Sequence, residues 1–226
     1  MVLPRYLAQT REEFAVCPSL PEHPAWMACH FSPYGTGLVN LPPDLPQGSM
    51  VLLNDRIPMA CHDPRTIRDQ LHALHPEYLL LDFQSAPTQE TRGLVRLLVE
   101  SLSCPTAIPA AYDTGFSCPL FLPLPPPDTS LADHLVHWHD REIWLEIGLG
   151  SMTYTVTEQG AVPSSLMTVP ECGLRDDSLF CHYRIDIRDE QAVFQLWRTR
   201  QDLDALLENA AAFGVTKAIG LWQELK

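Results

Sequence analysis

A chain of 226 residues that is 46% hydrophobic and 19% charged is long enough for one sizeable core and is not a disordered or fibrous sequence. Its 28 acidic residues outnumber 15 Lys and Arg, and the net charge of −13 argues against a nucleic-acid backbone or an anionic membrane as partner. An uncharged or cationic ligand is expected, and with neither an apolar leader nor a bilayer-length apolar run, a cytoplasmic protein is expected.

Short apolar runs bounded by turn residues predict buried strands at Trp26–Phe31, Met50–Asn54, Tyr78–Phe83, Thr106–Ala110, Leu120–Leu124, Ile143–Ile147 and Ala218–Trp222. Amphipathic segments between them, Pro64–Leu74, Gln89–Ser101, Ser130–His139 and Thr199–Phe213, predict helices. Asp63-Pro64 supplies an N-cap followed by proline at the first helical position, and Gly214 supplies a C-cap after Phe213. The links after Phe31 and Ala110 are too proline-rich for good helices; the proline runs at 18–24, 42–46 and 119–127 read as connections within one domain. From Ser151 to Trp197 the pattern changes to alternating Thr and Val. Tyr183-Arg184-Ile185-Asp186-Ile187 and Val193-Phe194-Gln195-Leu196-Trp197 then flank the charged turn Arg188-Asp189-Glu190, which predicts an antiparallel hairpin inserted before the last strand.

Alternating strand and helix means parallel βαβ units, so the expected fold is α/β, a (β/α) barrel of TIM type spanning residues 1–226 as a single domain. Seven candidate strands are one fewer than a complete barrel has, so an abbreviated or irregular barrel is expected.

Residues His182–Lys226 run through a tyrosine-containing strand, a charged turn, Val193–Trp197, a helix, Phe213-Gly214-Val215 and Ile219-Gly220-Leu221-Trp222. This order of elements resembles the end of glycoside hydrolase family eighteen, the chitinase family, and within it the branch of spore-cortex and cell-wall hydrolases. Glu77-Tyr78-Leu79-Leu80-Leu81-Asp82-Phe83-Gln84 resembles the C-terminal half of that family's catalytic strand, DGxDxDxE. The resemblance covers residues 50–226. It puts Asp82 on the last aspartate, Gln84 on the catalytic glutamate and Trp222 on the tryptophan that floors the sugar subsite. In the family the glutamate protonates the glycosidic oxygen, while the substrate's N-acetyl group, held by the aspartate, acts as nucleophile. Gln84 cannot donate that proton, which removes a contribution of roughly 10²–10⁴-fold. Glu77 and Leu80 replace the first two aspartates, and Phe121-Leu122-Pro123-Leu124-Pro125-Pro126 replaces the Met-x-Tyr-Asp pattern of the sixth strand.

Strand alternation puts Leu80, Asp82 and Gln84 on the inward face of their strand. It likewise puts Trp144 and Glu146 on one face of Ile143–Ile147, so that Glu146 is the best substitute acid, its pKa raised by an apolar barrel interior. Asn54 and Asp55 end another strand at the ligand-binding side of a barrel, or initiate the turn before Ile57-Pro58. Expected ligand-binding residues are Asp82, Gln84, Trp222, Trp144 and Asp55.

The seven cysteines (17, 29, 61, 104, 118, 172, 181) are odd in number and never spaced as Cys-x-x-Cys, so reduced thiols are expected. Cys29-His30, Cys61-His62 and Cys181-His182, and the cluster Asp133, His134, His137, His139 and Asp140, match no zinc spacing, and no metal is expected. No glycine-rich phosphate loop is present, and no cofactor is expected. The leading expectation is a catalytically impaired chitinase-like barrel that binds an N-acetylglucosamine-type glycan around Asp82, Gln84 and Trp222. One alternative is an active glycosidase acting on amino sugars with Glu146 or Asp55 as acid. The other is a protein-interaction or structural barrel without a sugar ligand, its pocket filled by its own loops.

Overall fold

The structure, a computed structural model, describes residues 3–17, 19–59, 63–164, 168–188 and 191–226. Eight parallel strands close a barrel: β1 (Arg5–Gln9), β2 (Pro24–Phe31), β4 (Met50–Asn54), β5 (Tyr78–Asp82), β6 (Thr106–Pro109), β7 (Leu120–Leu122), β8 (Ile143–Ile147) and β14 (Val215–Leu221). A two-residue strand, β3 (Leu38–Val39), pairs antiparallel with β2. Closure runs through β1, which lies between β14 and β2, with Tyr6 beside Ile219 and Ala8 beside Ala25.

The expected abbreviation of the barrel is therefore corrected: the strand count is complete, and the missing strand was β1. Arg-Tyr-Leu-Ala-Gln carries a charge and an amide at its ends, which hides the apolar run that marks its neighbours. The irregularity lies in the outer layer. Full helices α2 (Pro64–Leu74), α3 (Gln89–Ser101) and α5 (Arg200–Ala210) accompany only part of the barrel, with shorter α1 (Arg11–Val16), α4 (Leu131–Leu135) and α6 (Trp222–Leu225) elsewhere. The links after Phe31 and Ala110 contain no α-helix.

Local chemistry fixes the helix ends. Asp63 accepts the Arg65 amide in front of Pro64, and capping boxes pair Thr88 with Thr91 and Thr199 with Asp202. Gly214 ends the α5 region at φ +84°, and a Cβ there would lie 2.8 Å from the Arg141 carbonyl, so glycine is required on both counts.

The predicted hairpin insertion is a larger unit, a five-stranded antiparallel sheet in the order β10-β9-β13-β12-β11: β9 (Ser151–Thr157), β10 (Gly160–Ser164), β11 (Leu174–Asp176), β12 (Cys181–Arg188) and β13 (Gln191–Trp197). The predicted pair is β12 and β13; Asp189 and Glu190 of its turn lie outside the described residues. Asp202 anchors this sheet to α5. Fully buried, it accepts Arg175 Nε at 2.8 Å, His182 Nδ1 at 2.7 Å and the Thr199 hydroxyl at 2.7 Å.

Two apolar clusters fill the space between barrel and outer layer, and a third fills the barrel, formed by Tyr6, Ala8, Met50, Leu52, Leu80, Trp144 and Ile219 among others. Among the described residues no helix is long and apolar enough to cross a membrane.

Candidate functional site

The lower barrel is packed with rings. Tyr78 meets Tyr6 and Trp144 edge-on at 5.6 and 5.7 Å, and the Lys217 ammonium sits over the rings of Tyr78 and Trp144 at 4.3 and 4.8 Å. Near the C-terminal ends of the strands the inward residues become small or polar, Ala8 and Gly220 beside Asp82 and Glu146, and packing gives way to a cavity of about 460 Å³. That is the end at which α/β barrels carry their sites, and the volume is that of a small-ligand pocket.

The proline-rich segment is a wall of this cavity, with Leu124–Pro127 along one side. Arg198, 3% exposed, holds it: the guanidinium donates to the carbonyls of Pro125 and Pro126, and to those of Leu179 and Phe180 in the inserted unit. Buried carbonyls of an irregular segment need donors, and a five-donor guanidinium supplies several from one point.

Three carboxylates line the cavity: Asp82 at the end of β5, Glu146 on β8 and Glu224 in α6. No Lys, Arg or His is among the lining residues. Burial, followed by the negative charges of Asp82 and Glu224, holds the Glu146 carboxyl above its ordinary pKa. Burial also raises Asp82, the amide of Gln84 opposes that shift, and the charge of Asp55 adds to it. Glu146 thus stands where alternation places it, on the inward side of β8. The cavity can accept hydrogen bonds from hydroxyl and amide groups, and its Glu146 and Asp82 carboxyls keep their protons to higher pH than free carboxyls do.

Glu224 escapes sequence reasoning because a four-residue helix has no periodic signature. The available signal is glycine. A Cβ at Gly220 would lie 2.4 Å from Leu225 Cδ1 and 2.6 Å from the Ile147 carbonyl, and one at Gly148 would lie 3.0 Å from Glu224 Oε2. These two positions let α6 fold back over the strand ends and bring Glu224 to the rim.

Gln84 departs from its predicted inward position. β5 ends at Asp82, and the chain then turns because Asp55 captures the next amides: Oδ1 accepts Gln84 N and Oδ2 accepts Ser85 N, both at 2.9 Å. Gln84 leaves the barrel axis and lines an adjoining groove, with Nε2 donating to Asp82 Oδ1 at 2.6 Å. Asp55, 7% exposed, is committed to this turn and does not line the mouth cavity. Asn54 is similarly engaged, donating to the carbonyls of Met27 and Cys29.

The two expected aromatic platforms lie elsewhere. Trp144 is fully buried beneath the cavity, its indole N–H donating to Glu142 at 3.0 Å, so it offers a ligand no face. Trp222 opens α6, half-buried, and is not among the residues lining the cavity; its neighbours Leu221 and Glu224 are. Phe121 is the aromatic residue that lines it.

Among the described residues no three His, Cys, Asp or Glu side chains are gathered as metal ligands. His134 bonds the Pro123 carbonyl, His139 pairs with Asp140, and Cys29 and Cys181 are buried, while Cys61 and His62 lie outside the described residues.

No family model matches the chain, and no curated protein matches its sequence. Solved structures do match in shape. The Bacillus cereus spore cortex-lytic enzyme SleL superposes with a TM-score of 0.58 at 10% identity, over 99% of this chain and 71% of that one. The C-terminal domain of a Desulfitobacterium hafniense protein designated a chitinase superposes with a TM-score of 0.52 at 8% identity, over 98% of this chain and 94% of that one. At such identities the likeness establishes the fold alone, a (β/α) barrel.

Proposed function

We propose that the chain is a glycan-binding barrel that takes an N-acetylglucosamine-type sugar unit in the mouth cavity and does not hydrolyse it by the family's usual route. One observation carries the reading: Gln84, which the motif resemblance sets on the proton donor, is an amide that donates to Asp82, so the motif keeps a single carboxyl, already engaged in a hydrogen bond. Asp82 and Glu146 remain as acceptors for the hydroxyl and acetamido hydrogens of a sugar.

The test is a titration of N-acetylglucosamine oligomers and muropeptide fragments against wild type and Asp82→Ala, with hydrolysis followed in the same samples. Binding that weakens about tenfold in the variant, as expected for loss of a charged acceptor, without turnover in either, is the predicted result. Absence of binding would refute the reading and favour a barrel that serves protein contacts.

A second reading has its own support in the raised pKa of Glu146 inside the cavity. On this reading Glu146 donates the proton and the chain is an active glycosidase on amino sugars. Turnover by wild type that is abolished in Glu146→Gln would establish it over the first.

A further inference from the structure

The inserted antiparallel sheet has two faces of opposite character. Residues paired across an antiparallel ladder point to the same side, so the registers of β9 to β13 sort the side chains. One face carries Arg175, His182, Arg184, Gln195 and Thr153, and its base is held on α5 through Asp202. The other is apolar in three successive rows. Tyr183 and Leu196 lie side by side in the first, Ile185, Phe194 and Tyr154 in the second, and Ile187 and Val156, with Ala192 between them, in the third. No position in these rows is charged, and the Tyr154 hydroxyl donates to Asp128 at their margin.

An antiparallel sheet with one apolar face ordinarily lays that face on a core and turns the other to water. Here only the innermost row does so: Leu196 is buried, and Met152 beside it lines the mouth cavity. The outer rows face solvent, with Ile185 44% and Ile187 77% exposed, and Leu174, which pairs with Tyr183 on β11, is 65% exposed. The alternation of β12 explains the overhang. Cys181, Tyr183, Ile185 and Ile187 keep the apolar side at every second residue, although only Cys181, at the base, is fully buried.

We infer that a second copy of this chain covers this face, sheet against sheet about a twofold axis. Two chains of net charge −13 repel each other, and a contact between them needs a surface to which neither brings charge. The three rows are such a surface. A charged partner would find nothing in them to pair with, whereas a twofold contact needs only a patch complementary to itself, and a twisted apolar sheet packs on its own copy at about −30°. The extent also fits. Five strands about 4.8 Å apart and three rows about 6.7 Å apart outline roughly 400 Å², or about 600 Å² of accessible surface with side-chain relief. Two copies then bury about 1,200 Å², the lower bound for a specific interface, so the dimer is reversible, with a Kd of about 10 µM. The dimer stands independently of the glycan reading.

Sedimentation velocity on the full chain, from about tenfold below to tenfold above 10 µM, tests this. Wild type is expected to pass from monomer to dimer across that range. Ile185→Asp/Ile187→Asp places two like charges on each side of the contact and should weaken association at least about 100-fold, leaving a monomer throughout. Val162→Asp is the control: Val162 pairs with Thr155 on the opposite face, is 64% exposed, and should dimerise as wild type does. Circular dichroism should show both variants folded, since all three positions are exposed. A wild type that is monomeric throughout would overturn the inference, and so would a dimer that survives the double substitution. If wild type is monomeric and the double substitution weakens its binding of N-acetylglucosamine oligomers, the face serves the ligand instead.

Discussion

Asp55 accepts the backbone amide of Gln84 at 2.9 Å, and through its other oxygen that of Ser85, so a carboxylate from one barrel strand shapes the loop that leaves the next. Asp55→Ala removes two charge-assisted bonds and is expected to cost about 2–4 kcal/mol. At roughly 2–4 °C per kcal/mol for a chain of this size, the melting temperature should fall by about 4–16 °C. Asp55→Asn keeps one acceptor and should lose less. Thermal unfolding measures both, and fast hydrogen exchange at Gln84 and Ser85 would localise the effect; slow exchange there in the alanine variant would contradict it.

Asp202 predicts an acid limb of stability. Burial pushes its carboxyl up, but donors from Thr199, Arg175 and His182 outweigh burial and bring the pKa down to about 2. A folded pKa below the unfolded value of about 3.9 means the contribution is nearly complete above pH ~4 and is lost as pH falls towards ~2, about 2–3 kcal/mol in all. Urea unfolding between neutral pH and pH ~2 should show this loss, and Asp202→Asn should flatten that part of the curve while lowering stability at neutral pH.

Gly220→Ala tests how α6 is held. With the Ile147 carbonyl 2.6 Å from the new Cβ, backbone must move, at a cost of about 1–3 kcal/mol. Because Glu224 rides on α6, the proposed sugar binding should weaken beyond what the fall in melting temperature explains. A variant that melts lower and binds as wild type would show that the position of Glu224 is immaterial.

Glu146→Gln should stabilise the fold at neutral pH. An acid whose folded pKa is raised contributes most stability below its unfolded pKa and loses it as pH rises through the folded one. Removing the charge abolishes that loss, by under about 1 kcal/mol because water in the cleft screens it. Wild type and variant should therefore converge in melting temperature as pH falls below ~4, and divergence at low pH would contradict the assignment.

Elements whose chemistry is local were legible in the sequence. Met50–Leu53 is an unbroken apolar run, Ile143–Ile147 is apolar except for Glu146, and Pro64–Leu74 is announced by Asp63-Pro64; the strands Met50–Asn54 and Ile143–Ile147 and the helix all have the predicted bounds. What depends on distant contacts was not. The identity of β1 as a strand comes from β14 and β2, over two hundred and about twenty residues away in sequence, and only their pairing makes Arg5–Gln9 regular. In the site, alternation along β8 placed Glu146 correctly. The same rule failed for Gln84, because a tertiary contact with Asp55 ended the strand two residues earlier. Trp144 obeyed alternation yet lies a layer too deep, since period two gives the face of a strand but not the height at which the barrel opens.

The guanidinium of Arg198 joins Pro125 and Pro126 to Leu179 and Phe180, across 72 and 73 residues to the prolines and 18 and 19 back into the inserted unit. The consequence is one of assembly order. When the chain is made from its N-terminus, β7 and the proline wall emerge long before Arg198, with their carbonyls unmatched. The cavity outline therefore depends on stretches made at three separate times: the proline wall, then the inserted unit with Leu179 and Phe180 followed by Arg198, and after these β14 and α6, which supply Ile219, Gly220, Leu221 and Glu224.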